Sequence, residues 1–219
     1  MTESQILSLF PTPLGVYSLG EENRDRDSML VNHILQLQAS TPGVVSSNLG
    51  GWHSGNLKKD DDAKWLRHHI KDCVYQHLEK CGYVIKVSLA HMWANVNGPG
   101  DQNLTHCHKD SVISGVYYPV KYVEAGRMVF NYDEERPVRP GSWSGEGGEL
   151  TLLSPGYGSN ISYGDNINPL SLDKYHVVPK SGTLVLFPSH MLHSVMPFTR
   201  DVQRFSIAFN FRHNPWKRN

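Results

Sequence analysis

The stretch Gln203–Arg212, QRFSIAFNFR, decides how the chain is read. Phe205, Ile207, Phe209 and Phe211 alternate with Arg204, Ser206, Ala208, Asn210 and Arg212. Successive side chains of a strand leave opposite faces, so the four apolar residues share one face and belong in a core. The other face carries a cation, a hydroxyl and an amide. It reads as the wall of a polar cavity.

Working back from this strand, the same two-residue period runs through GTLVLFP (182–188), YHVVP (175–179), GELTLL (148–153), RMVFNY (127–132) and YVIKVSLAHMWANV (83–96). Clusters of Gly, Pro, Asn and Asp separate these runs, as turns require. Upstream of Gly82 the period changes to that of helices. Met29, Leu30, His33, Ile34 and Leu37 recur at helical spacing behind acidic residues that suit a helix start. A second helix follows KKDDD (58–62), where an aspartate caps exposed amides, and buries Trp65, Leu66, Ile70, Cys73, Val74, His77, Leu78 and Cys81 before Gly82 stops it. The intervening STPGVVSSNLGGWHSGNL (40–57) is expected to be mostly loop, anchored by Trp52 and Leu57. The region from about Glu124 to Lys180 is expected to form long loops broken by short strands and to shape an entrance. A mainly β fold results: a sandwich or jelly roll with two N-terminal helices packed on one outer face. At 219 residues we expect a single domain, with a helical segment over 1–82 and a β core over 83–213.

Composition narrows the function. Lys+Arg and Asp+Glu balance at 21 each without long runs of one sign, so neither a nucleic acid nor a membrane surface is an expected partner. Cys73, Cys81 and Cys107 show no CxxC spacing and fit free thiols in a reducing compartment. The N-terminal MTESQILSLFPTPLG lacks the basic start and apolar length of a signal segment, so a soluble, cytoplasmic protein is expected.

The chemistry concentrates in NLTHCHKDSVISGVYYPV (103–120). His106, His108 and Asp110 stand two apart, so on a strand they would emerge from one face, offering two imidazoles and a carboxylate to one ion. Two histidines and a carboxylate with positions left open are the arrangement of non-haem Fe(II) oxygenases. His193, behind the strand-like GTLVLFP, is the expected partner from elsewhere; His190 lies three residues away and would not share its face. Arg204 and Ser206 face the cavity and suit a carboxylate, which an arginine grips through two N–H groups. A dicarboxylate cosubstrate is therefore expected. Trp93, Asn95 and Asn97 are candidates to line the pocket, whereas Cys107, of opposite parity to the histidines, is expected in the core. His33, His53, His68, His69, His77 and His213 have no constellation around them.

Taken in order, LFPTPLG, GGWHSGNL, MWANVNGPGD, HCHKDSVISGVYYPV, GTLVLFPSHMLHSVMPF and RFSIAFNFR resemble the 2-oxoglutarate- and Fe(II)-dependent oxygenases, from Leu9 to Phe211. The resemblance implies a double-stranded β-helix of cupin-like, jelly-roll form, with iron bound by His108, Asp110 and His193. It implies 2-oxoglutarate held at its distal carboxylate by Arg204, with Ser206 and Tyr118 assisting. In the family pattern both histidines of H-x-H recur while the position of Asp110 varies, so His106 is the alternate ligand. The implied activity is a dioxygenase reaction: 2-oxoglutarate and dioxygen are consumed, succinate and carbon dioxide are released, and an unactivated C–H bond of a peptidyl side chain or small metabolite is hydroxylated. Two other readings remain open. One is a cupin-like metal enzyme using His106, His108 and His193 without a cosubstrate; the other is a non-catalytic β-sandwich binding module.

Overall fold

The computed structural model describes residues 11–132, 138–140, 147–155 and 173–214. The loop expectations over 133–137, 141–146 and 156–172, like the start of the LFPTPLG motif, lie outside the described residues.

In chain order the elements are β1 (Gly15–Ser18), α1 (Arg24–Ser40), β2 (Asn48–Leu49), β3 (Trp52–His53), α2 (Lys64–Lys80), β4 (Val87–Asn97), β5 (Gln102–His106) and β6 (Ile113–Tyr118). There follow β7 (Tyr122–Glu124), β8 (Arg127–Val129), β9 (Val138–Pro140), β10 (Leu150–Leu153), β11 (Lys174–Val177), β12 (Thr183–Pro188), β13 (His193–Val195) and β14 (Arg204–His213). Two six-stranded sheets carry the fold. One has the order β1-β12-β6-β14-β4-β3 and the other β2-β5-β13-β10-β11-β9, all pairings antiparallel. The chain passes repeatedly between the sheets, β4 to β5 to β6 and again β12 to β13 to β14, which is the winding of a jelly roll.

Alternation sorts the side chains of the first sheet into two layers. Phe205, Ile207, Phe209 and Phe211, with Ile113, Tyr117, Leu184 and Leu186, pack against Leu30, Val31 and Ile34 of α1 and Leu66, Ile70 and Val74 of α2. Val116, Tyr118, Val185 and Phe187 point the other way, onto Leu150, Leu152 and Val177 of the second sheet. The helices therefore cover one face of the first sheet, as the sequence predicts. The candidate site lies between the sheets on the other.

Three local details refine the sequence reading. The stripe of α1 is turned from the one expected: Met29 is exposed, while Asp27, Leu30, Val31 and Ile34 are buried. The cause is Asp27, whose carboxyl accepts the hydroxyls of Tyr117 at 2.7 Å and Tyr132 at 3.3 Å and so draws its side of the helix onto the sheet. The stripe of α2 is as read at Leu66, Ile70, Cys73, Val74, His77 and Leu78, while Trp65 and Cys81 are half-buried, and Gly82 takes the left-handed conformation (φ 75°) with the Tyr83 N–H bonded to the Leu78 carbonyl and the Gly82 N–H to that of Glu79. The expected loop of 40–57 also holds β2 and β3. Trp52 and Leu57 do anchor it, both being buried. Among the described residues no helix is long and apolar enough to cross a membrane.

Candidate metal centre

His106 closes β5 and stands directly opposite His193, the first residue of β13. Between this pair and the next, Asn103 with Val195, β5 advances three residues while β13 advances two. The extra residue is a bulge, and it resets the alternation so that Asn103 and His106 both face the space between the sheets while Leu104 is exposed. His108 follows the strand end, its backbone N–H held by the Ser189 carbonyl at 2.8 Å. The ring centroids of His106 and His193 are 4.3 Å apart, those of His106 and His108 5.0 Å, and those of His108 and His193 5.1 Å. One ligand nitrogen from each lies within 4.8 Å of the others.

Asp110, expected as the carboxylate ligand, is not in this group. The strand ends at His106, the chain turns over 108–111 with the Ser111 N–H bonded to the His108 carbonyl at 3.2 Å, and Asp110 is exposed in that turn. The alternation that was to align His106, His108 and Asp110 does not extend that far. His106, the alternate, stands in the cluster instead. His190 is exposed, as its spacing from His193 suggests.

The imidazoles are prepared as donors. His106 Nδ1 bonds the Leu104 carbonyl at 2.6 Å and His193 Nδ1 the Met191 carbonyl at 2.9 Å. A carbonyl only accepts, so each Nδ1 carries the hydrogen and each Nε2 keeps its lone pair, the usual orientation of metal-binding histidines. Burial, with His106 and His91 adding, lowers the pKa of His108 to about 4; burial lowers that of His193 to about 3, partly offset by the Met191 carbonyl. Both rings are neutral at neutral pH.

Arg204 is 1% exposed at the start of β14. It donates to Ser206 Oγ at 3.4 Å and to Tyr118 Oη at 3.3 Å, while its Nε has no partner. Among the described residues no carboxylate lies within ion-pair distance of it. Arg204, Ser206, Tyr118, Asn95, His106, His108 and His193 line one narrow cavity of about 50 Å³. The expected site residues other than Asp110 are thus brought together. Asn95 Oδ1 is also buried without a partner, an acceptor directed into this region.

A second cavity of about 600 Å³ meets His106 and His108 from outside, with Trp93 shared between the two. His53 stacks on Trp93 with centroids 5.4 Å apart and planes at 10°. Cys107 lines this outer cavity, half-buried, instead of entering the core; the turn after β5 removes the parity argument that placed it there. Sequence reasoning also missed Ser47 and His53, which a polar, turn-rich segment does not distinguish from solvent-facing neighbours. Asn97 lines neither cavity.

A jelly roll with three converging imidazoles and a lone buried guanidinium between its sheets defines the class of metal-dependent double-stranded β-helix proteins. The family described as "Putative 2OG-Fe(II) oxygenase" matches residues 91–210, more than half of the chain. The chain belongs to the 2OG-Fe(II) oxygenase family. No curated protein matches it in sequence. Among solved structures, a Pseudomonas putida prolyl-4-hydroxylase superposes with a TM-score of 0.58 at 14% identity, over 92% of this chain and 93% of its own. A Trichoplax adhaerens prolyl hydroxylase, in complex with a peptide fragment of the hypoxia inducible factor oxygen degradation domain, gives 0.55 at 14% identity over 91% and 83%. The epimerase SnoN, in complex with Fe3+, alpha ketoglutarate and nogalamycin RO, gives 0.56 at 12% identity over 87% and 77%. At these identities the likeness is one of fold.

Iron(II) and 2-oxoglutarate are the cofactor and cosubstrate of this family. The residues present fit both. Three converging imidazoles, those of His106 and His193 with Nδ1 held by a carbonyl and Nε2 turned away from it, suit iron, and a buried guanidinium that has no counter-charge among the described residues suits a carboxylate.

Proposed function

We propose that this chain is a 2-oxoglutarate-dependent hydroxylase that oxidises an unactivated C–H bond, and that residues 1–82 and 83–213 act as one catalytic unit. Iron would be held by His106, His108 and His193, and the distal carboxylate of 2-oxoglutarate by Arg204 with Ser206 and Tyr118. The observation that carries this reading is the uncompensated guanidinium of Arg204. A buried cation without an anion is costly, and a ligand carboxylate removes that cost. A metal enzyme without a cosubstrate, or a binding module, leaves the charge unexplained.

When bound, the iron would bring dioxygen into play as the oxidant, two of its four electrons coming from the conversion of 2-oxoglutarate to succinate and carbon dioxide and two from the substrate C–H bond. The protein's part is positional. The Leu104 and Met191 carbonyls fix the orientation of His106 and His193. Tyr118 is fully buried and keeps its proton, since burial raises its pKa against the lowering influence of Arg204, so its hydroxyl remains available to donate to a carboxylate. At about 50 Å³ the inner cavity admits a five-carbon diacid only as the side chains around it draw back. The prolyl hydroxylases among the structural neighbours support a peptidyl substrate, while the epimerase SnoN is a neighbour with a reaction other than hydroxylation.

The test is anaerobic addition of Fe(II) and then 2-oxoglutarate, followed by the visible charge-transfer band of chelated ferrous iron. The band is expected in the parent protein and in Asp110→Ala, and is expected to vanish in His106→Ala and His193→Ala. Metal binding with no response to 2-oxoglutarate would refute the cosubstrate reading. Loss of metal in Asp110→Ala would refute the ligand set.

A further inference from the structure

The outer cavity, about twelve times the volume of the inner one, reaches His106 and His108 from outside the sheets. Among the described residues its lining contains no Asp, Glu, Lys or Arg. Val44 and Trp93 supply apolar surface, and serines and an asparagine supply neutral hydrogen-bonding groups. Its histidines beyond the metal cluster are tied to neighbouring groups, and burial lowers the pKa of His53. Asn56 Oδ1 accepts the N–H groups of Lys58 at 3.0 Å and Met92 at 3.3 Å, which fixes the amide and turns its Nδ2 toward His91 Nδ1 at 3.5 Å. His53 lies flat on Trp93 and gives its Nδ1–H to the Ser54 carbonyl at 2.6 Å.

A charged group entering such a space loses water and gains no counter-charge, an unfavourable exchange that an amide or hydroxyl avoids by pairing with neutral partners. The contrast with the inner cavity is sharp: one chamber holds an unpaired cation, the other holds no fixed charge. Resting on the oxygenase reading above, we propose that the outer cavity is the subsite for the prime substrate and selects an uncharged group, with its apolar part against Val44 and the Trp93–His53 stack. Free amino acids and organic acids are excluded by their charges. A residue inside a peptide chain and a neutral metabolite both present the chemistry required, and a cavity of about 600 Å³ is large enough for either.

The proposal is tested on the Zn(II)-loaded protein without cosubstrate, using tryptophan fluorescence and ligand-observed NMR to measure binding. The probes are free amino acids, the same residues as N-acetyl amides, capped tripeptides, neutral lactams and small organic acids. The neutral forms are expected to bind at least about tenfold more tightly than their charged counterparts, since a lost desolvated charge is worth at least that factor. Capped tripeptides above lactams would identify a peptide source, and the reverse order a metabolite. Ser46→Asp, at the exposed rim, is expected to admit ammonium-bearing probes that the parent rejects. Equal binding of charged and neutral forms, or no binding by any probe, would overturn the proposal. Because this readout needs no 2-oxoglutarate, its outcome is separate from the charge-transfer test of the parent reading.

Discussion

At the scale of single residues, Arg204 and Asp110 separate what an isolated side chain can reveal from what its surroundings decide. Arg204 was assigned from alternation along an unbroken strand, and β14 keeps that alternation from Arg204 to Asn210. Its planar fork is matched to a carboxylate in a way that an ammonium is not. Arg204→Lys is therefore expected to weaken 2-oxoglutarate binding by at least about tenfold, roughly one bidentate hydrogen bond, and Arg204→Ala by more, in titrations of the charge-transfer band. Arg204→Met should abolish that band yet leave the thermal midpoint equal or higher, because an apolar chain of similar volume carries no desolvation penalty. A fall in the midpoint of several degrees would show that the guanidinium is structural. Asp110 was assigned by the same alternation, extended across a strand end that leaves no mark in a polar run such as HCHKD.

At the scale of elements, long periodic segments were legible and short or interrupted ones were not. Both helices and the strands β4, β12 and β14 follow from hydrophobic period, since a period needs several residues to declare itself, whereas β6, buried on both faces, has none. Strands β1, β2 and β3, of two to four residues, fall below that length. The bulge in β5 is equally invisible, because one extra residue in NLTH has no compositional sign. It nonetheless decides the site. Deleting Thr105 is expected to restore regular pairing between β5 and β13 and to turn His106 out of the cavity, which should remove metal binding while the far-ultraviolet circular dichroism stays that of a folded β protein. Close approach of strands explains a second prediction. A Cβ on Gly115 would sit 2.4 Å from the Phe209 ring and 2.6 Å from the Val185 carbonyl. Gly115→Ala should cost about 1–3 kcal/mol in chemical denaturation, the usual range for overpacking.

At the scale of the whole molecule, one buried carboxyl links stability to pH. Burial raises the pKa of Asp27 from 3.8 to about 7, against the lowering effect of the hydrogen bonds from Tyr117 and Tyr132. The fold therefore holds the proton more tightly than the unfolded chain does. This contribution is complete below about pH 4 and is lost as pH rises through about 7, on the order of 4 kcal/mol in all. In denaturation curves from pH 4 to 8, Asp27→Asn should flatten that decline. An unchanged slope would show that Asp27 is ionised in the fold at these pH values.

The described N-terminal strands have a further consequence for how the molecule is made. Gly15 of β1 pairs with Leu186 of β12, β3 completes the other side of the same sheet against β4, and β2 flanks β5. The matched family segment begins only at residue 91, so a fragment cut there would leave three ladders of N–H and C=O groups open, an invitation to self-association. During synthesis β1 must likewise wait until residue 186 has left the ribosome. Closure is then a late, long-range event, and the nascent chain is the form most in need of a chaperone.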